Sequence, residues 1–140
     1  MARFVSILGY IWLLPVTLFG ILLAPILGYT LVRVEGDLTL YFIARLNSLM
    51  YKWFDSRGFA AITVGAIIIY KIAAYDNPRI TTHEKTHVHQ GLVFGVLWPI
   101  VYFGESVSQY LTGHNIYWDN RFEVQARRSE QVGRPLNLWE

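Results

Sequence analysis

The chain has 140 residues, enough for one domain but not for separate catalytic and binding modules. Apolar residues make up 54% of it and the mean hydropathy is +0.32, and both values favour contact with a membrane. The 12 basic residues nearly balance the 10 acidic ones, so the charge does not indicate a nucleic-acid partner, and the absence of cysteine excludes disulfides and thiolate metal ligands.

The first predicted element is an apolar segment, residues 4–32, which contains no charged side chain. A bilayer core of about 30 Å needs about 20 apolar residues as a helix, so this segment is long enough to be embedded in a membrane. Pro15 and Pro25 each remove a backbone donor, which leaves two arrangements open: one kinked span, or a re-entrant helical hairpin around residues 18–24. A cleaved signal peptide is disfavoured because the apolar run is too long and lacks a clear small-residue exit site.

The middle of the chain predicts one interfacial segment and one strand. After a turn at residues 33–37, residues 44–57 mix charged and apolar side chains, which is typical of an amphipathic segment at a membrane interface, with Tyr51 and Trp53 as anchors. Residues 59–70 are too few to span a bilayer, and their β-branched content predicts a strand that can lie at the edge of a small sheet.

The C-terminal half predicts helices separated by loops. Asp76-Asn77-Pro78 indicates a turn, and Thr81 or Thr82 can cap a helix over residues 82–93. The later elements, in chain order, are an uncharged core or half-inserted helix at residues 91–104, a loop at residues 110–120 and a polar helix at Arg121–Val132.

These elements predict an α+β fold, mainly helical, with a short β-hairpin or small sheet. The fold is expected to form a single membrane-associated domain, with residues 4–32 embedded and residues 33–140 as a zincin-like core. Arg3 alone precedes the apolar segment, and five basic residues follow it: Arg33, Arg45, Lys52, Arg57 and Lys71. The positive-inside bias therefore predicts an inner-membrane protein with the bulk of the chain on the cytoplasmic side.

The strongest chemical signal is His83-Glu84-Lys85-Thr86-His87, an HExxH sequence. On a helix, residues four apart share a face, so His83 and His87 can hold one metal ion, and neutral imidazole is a good ligand for Zn²⁺. Glu84 is placed to take a proton from a metal-activated water as a general base. The competing interpretation is a chance pair of histidines with Glu84 favouring the helix N-terminus.

A catalytic zinc site needs a third protein ligand. The candidates downstream are Glu105, His114, Asp119 and Glu123. Glu123 is favoured over His114, with Asp119 third, because it would lie on a helix whose small Ala126, one turn later, allows close packing against the HExxH helix.

Neighbouring residues are weaker candidates for the site. His89 points away from His87 on a helix and is interpreted as a structural residue, whereas Gln90 shares a face with His83 and can orient the site. Tyr110 or Tyr117 could stabilise an oxyanion.

Four segments together resemble a group of small, mostly uncharacterised bacterial membrane proteins with a minimal gluzincin-type core. In chain order they are WLLPVTLFG at residues 12–20, GFAAITVG at residues 58–65, HEKTHVHQ at residues 83–90 and NRFEVQA at residues 120–126. The chain departs from the group's pattern where Arg121 replaces an expected proline and His89 an expected basic residue.

The resemblance implies His83, His87 and Glu123 as zinc ligands, Glu84 as the base, and a membrane-associated metallopeptidase-like fold. The first functional hypothesis is therefore a zinc metallopeptidase acting on a peptide near the membrane, with residues 59–70 as the edge strand that pairs with the substrate. The alternative is a non-catalytic accessory subunit of a membrane protein complex, with zinc structural or absent. A hydrolase acting on a lipid or a cell-wall peptide would use the same site.

Overall fold

The computed structural model describes residues 2–140, and it describes side chains from residue 7 onward. It has the predicted α+β class and is mainly helical. In chain order the elements are α1 (Ala2–Leu27), β1 (Tyr29–Val34), β2 (Leu40–Ala44), α2 (Leu49–Arg57), β3 (Ala61–Val64), β4 (Ile67–Tyr70), α3 (Pro78–Phe94), α4 (Trp98–Leu111) and α5 (Arg121–Val132).

The apolar N-terminal segment forms one continuous helix, α1, with Pro15 and Pro25 inside it. Of the two predicted arrangements, the re-entrant hairpin at residues 18–24 is therefore wrong. Each proline removes only one backbone donor, and the neighbouring turns of the helix keep their hydrogen bonds. The charge-free stretch also does not end as helix: after Gly28, which has φ +78°, the chain turns back into β1.

One side of α1 packs against the rest of the domain, and the other side is exposed. Leu13, Thr17 and Gly20 follow the three- and four-residue spacing of a helix face and are buried, whereas Ile11, Leu18 and Leu22 are exposed. By length and composition two helical stretches could cross a membrane: Ile7–Leu27, and Pro78–Leu111, in which α3 and α4 follow each other through one 3₁₀ turn.

The sheet has the strand order β1-β2-β4-β3, with β2 and β4 parallel and the other pairs antiparallel. All four residues of β4 are buried, which explains its run of three isoleucines. α1 and α2 contribute to the apolar cluster around Phe42 and Phe54, and α3 to the cluster around Ile68 and Tyr70.

The prediction of a single strand at residues 59–70 is wrong, because this stretch forms the β3–β4 hairpin. Gly65 turns the chain with φ +63°, a conformation that side chains with a Cβ rarely adopt. A Cβ there would also lie 2.5 Å from Thr17 Oγ1, so the hairpin turn rests directly on α1. Of these two strands only β3 lies at an edge of the sheet, and β1 forms the other edge.

The HExxH helix begins four residues earlier than predicted. The side chain of Asn77 accepts hydrogen bonds from the amides of Arg79 and Ile80, and Pro78 occupies the first helical turn, where its missing N–H costs nothing. α5 has the predicted bounds, with Asn120 as the N-cap and Gly133 at φ +76° ending it. α2 lies within the predicted amphipathic segment.

Candidate metal centre

The two histidines of the HExxH sequence meet on one face of α3. His83 and His87 are one helical turn apart and buried, with their Nε2 atoms 3.3 Å apart. Val88, on the side of α3 that faces the sheet, is also buried and holds the helix in this position.

α5 supplies a carboxylate to the same point. Glu123 Oε2 lies 3.3 Å from His83 Nε2, and Oε1 lies 3.3 Å from His87 Nε2. Ala126, one turn later and fully buried, lets the two helices approach closely. Within residues 2–140, these three are the His, Asp or Glu side chains that group at metal-ligand spacing.

The other candidate ligands lie elsewhere. His114 is exposed, and its ring contacts the hydroxyl of Thr112. Asp119 accepts from the amide of Asn115 in the loop before α5, and Glu105 pairs with Arg121. The sequence preference for Glu123 therefore agrees with the geometry.

The remaining ring nitrogens of both histidines have oxygen partners. His83 Nδ1 is 2.7 Å from Glu130 Oε1, and His87 Nδ1 is 2.8 Å from Gln90 Oε1. Gln90 also donates to the Phe122 carbonyl, which connects α3 to α5. These contacts favour the tautomer that leaves each Nε2 free as a ligand, the arrangement typical of metal-binding histidines.

The cluster fits a zinc ion by two criteria. Ligands at tetrahedral positions and about 2.0–2.2 Å from zinc lie about 3.3–3.6 Å apart. The two Nε2 atoms are 3.3 Å apart, and each lies 3.3 Å from a different oxygen of the Glu123 carboxylate. Glu123 Oε2 is buried and accepts no hydrogen bond, so it has a lone pair available to a cation. Burial opposes ionisation of Glu123, but the two imidazoles hold the pKa of its carboxyl well below its usual range, so it is a carboxylate at neutral pH.

Glu84, the candidate base, is buried beside the cluster in a cleft of about 330 Å³. The hydroxyl of Thr63, on β3, donates to Glu84 Oε2 at 2.6 Å. The cleft is lined by both histidines, Glu84 and Glu123, by β3, and by apolar side chains of α1 and α4. The space beside the cluster is therefore large enough for a small molecule or part of a peptide.

Two tyrosines line the cleft. Tyr102 donates to Glu123 Oε1 at 2.6 Å, and Tyr117 also lines the cleft. Burial raises the pKa of Tyr117, as does the charge of Glu123, so its phenol stays a donor at neutral pH. Tyr110, the other tyrosine considered from the sequence, is 70% exposed and does not line the cleft.

Sequence reasoning missed Thr63, Tyr102 and Glu130. Glu130 could have been found, because it lies seven residues after Glu123 and so shares its helix face. Thr63 and Tyr102 reach the site only through tertiary packing. His89 contacts the Leu136 carbonyl and lies outside the cluster, as predicted.

Comparisons of this chain with protein families, with curated proteins and with solved structures found no match. The resemblance to a gluzincin-type core stays a prediction. The function is therefore inferred from the geometry of the cluster and the cleft.

Proposed function

We propose that the protein is a membrane-associated zinc metallopeptidase in which His83, His87 and Glu123 hold Zn²⁺ and Glu84 is the general base. One observation carries the proposal: the two Nε2 atoms and the Glu123 carboxylate converge at 3.3 Å spacing beside a cleft that contains Glu84. Structural zinc sites are closed by four protein ligands, whereas catalytic ones have three and an open position.

His83, His87 and Glu123 would hold the zinc, which would supply a water of lowered pKa and polarise the carbonyl of a bound peptide. Glu84 Oε2 accepts a hydrogen bond from the Thr63 hydroxyl. The other oxygen, Oε1, is then available to take a proton from the attacking water and return it to the leaving amine. The phenol of Tyr117 is a donor in the cleft wall and is available to the developing oxyanion.

The edge strand β3 supports a peptide rather than a small molecule as the substrate. β3 pairs with β4 on one side only, and its residues line the cleft, so an extended peptide can add to its free edge by main-chain hydrogen bonds. A peptide attached to a lipid or to the cell wall would bind in the same way.

The alternative, a non-catalytic subunit bound to other membrane proteins, predicts a closed metal site and no substrate groove. The cleft of about 330 Å³ beside Glu84 supports catalysis instead. Inner-membrane association, with most of the chain on the cytoplasmic side, is part of the proposal. It is supported by the two long apolar helices and by the basic residues that follow α1.

Metal analysis of the purified protein tests the ligand set. We expect one zinc per chain in the parent, loss of zinc in both His83→Ala and Glu123→Ala, and full zinc content in the control His114→Ala. Retention of zinc in Glu123→Ala would remove that residue from the site.

Hydrolysis of peptides in detergent tests the mechanism. We expect Glu84→Gln to keep its zinc and to lose cleavage, because the amide cannot accept the proton. A Glu84→Gln variant that cleaves as fast as the parent would refute the catalytic proposal while leaving the metal site intact.

A further inference from the structure

The mouth of the cleft lies between the two apolar helices. Val16 and Phe19 of α1 line the cleft, as do Pro99 and Phe103 of α4. Phe19 is 60% exposed and Phe103 is 65% exposed, so the cleft reaches the surface beside these two aromatic side chains. A substrate that enters here passes between α1 and α4.

The exposed apolar surface continues from the mouth along both helices. Its other large members include Leu18, Leu22 and Ile26 on α1, and Ile100, Val107 and Leu111 on α4. Both helices belong to the stretches that are long and apolar enough to cross a membrane. These residues recur at the spacing of a helix face on each helix, and exposed apolar faces of this kind mark contact with a membrane or with a partner.

The two carboxylates that line the cleft are buried. Glu84 and Glu123 are each less than 10% exposed. Glu105, the charged side chain of α4, pairs with Gln109 and Arg121. Ionisable groups at membrane depth are found inside a protein or around a water-filled cavity, so this arrangement is compatible with lipid around the mouth.

The lining of the cleft also restricts what it can hold. Away from the metal cluster, Glu84 and Thr63, its walls are formed mainly by apolar and aromatic side chains, among them Phe59, Ile62 and Val64. A polar side chain would lose its hydration here without gaining partners, whereas an apolar one would be stabilised by burial.

We propose that the cleft opens onto the lipid bilayer and takes an extended apolar peptide segment that arrives from the membrane. This inference rests on the proposed peptidase function and adds the substrate class and its route of entry. The edge strand β3 binds the main chain of the segment, and the apolar walls bind its side chains.

The depth of the mouth can be measured without any activity. Because the chain has no cysteine, Phe19→Cys and Phe103→Cys each give one labelling position, with Ser56→Cys on the exposed surface of α2 as the matched control. The nitroxide-labelled proteins are reconstituted in vesicles of phosphatidylcholine and phosphatidylglycerol. We expect the labels at Phe19 and Phe103 to collide with oxygen but not with a water-soluble nickel chelate, and the label at Ser56 to do the opposite. Nickel access at both mouth positions equal to that at Ser56 overturns the inference.

Cleavage in the same vesicles tests the substrate class. One probe is a lysine-flanked transmembrane peptide of leucine, alanine and phenylalanine, and the other is a water-soluble peptide of serine, alanine and glutamine. We expect cleavage of the first at least about tenfold faster, since burial of one large apolar side chain contributes about that factor, and we expect Glu84→Gln to abolish it.

The outcomes separate the two proposals. Cleavage of the water-soluble peptide as fast as or faster than the transmembrane one, with dependence on Glu84, overturns the lipid-facing entry but leaves the peptidase function standing. Cleavage of neither probe by the zinc-loaded protein overturns both.

Discussion

Glu130→Ala tests whether the contacts behind the histidines tune the metal site. Glu130 Oε1 lies 2.7 Å from His83 Nδ1, and its Oε2 accepts from the exposed Arg79 side chain at 2.7 Å, so the carboxylate contacts the histidine through one oxygen and an exposed cation through the other. Alanine leaves the His83 Nδ1–H without an acceptor and allows the ring to rotate away from the orientation that a ligand needs.

The magnitude follows from the geometry. Loss of an outer partner of a metal-binding histidine weakens metal affinity by about 10–100-fold, or about 1.4–2.7 kcal/mol. The 2.7 Å contact is short and the Glu130 side chain is only 17% exposed, so solvent screens it weakly. We therefore expect the upper part of this range.

Competition with a chromophoric zinc chelator, in detergent, measures the affinity. Glu130→Gln keeps an oxygen acceptor and should bind zinc more tightly than Glu130→Ala. Arg79→Ala removes an exposed ion pair without touching His83, so it should stay close to the parent. Equal zinc affinity in Glu130→Ala and the parent would refute the reasoning, and so would an equally large loss in Arg79→Ala.

Three other predictions concern the hairpin, the base and an acidic loop. An alanine in the left-handed conformation costs roughly 1–2 kcal/mol. Gly65→Ala should lower the free energy of unfolding by more than this, whereas Gly58→Ala, with φ +71° and open space around it, should lower it by this amount only. Equal denaturation midpoints for the two variants would contradict the prediction. Thr63→Val should keep its zinc but lower kcat, because Glu84 loses its donor; unchanged turnover in a peptide assay would exclude a positioning role. Burial opposes ionisation of Asp37, yet a backbone amide and a lysine hold the pKa of its carboxyl below its usual value, so its stabilising contribution is present above about pH 4 and lost as pH falls further. The difference in unfolding free energy between the parent and Asp37→Asn should therefore shrink as pH falls below about 4. Denaturation at a series of pH values measures it, and a difference that grows as pH falls would contradict the prediction.

The site was predictable where it depends on helix periodicity. His83 and His87 share a face because they are four residues apart, and this spacing is written in the sequence. Glu123 lies 36 positions after His87, and only the small Ala126 indicated that its helix packs closely on α3. Thr63 lies on β3, and the position of β3 is set by its pairing within the sheet. No local sequence pattern therefore predicted that the Thr63 hydroxyl would contact Glu84.

The boundaries of the elements were less predictable, because two of them depend on a single residue. The charge-free stretch concealed β1, since the left-handed Gly28 ends α1 without any change in polarity. Gly65 likewise divides a continuous β-branched run into β3 and β4. In both cases apolar content identified burial, but a backbone conformation that favours glycine decided the topology.

The apolar helix α1 is a structural part of the site rather than a separate anchor. Thr17 Oγ1 accepts from the amide of Ala66 at 3.0 Å, and Gly20 has no side chain to keep Val64 and Ile67 away. These contacts place the β3–β4 hairpin, and β3 in turn brings Thr63 to Glu84. The residues of α1 on its opposite face are the exposed apolar ones. The same helix therefore presents an apolar surface on one face and sets the position of the edge strand with the other.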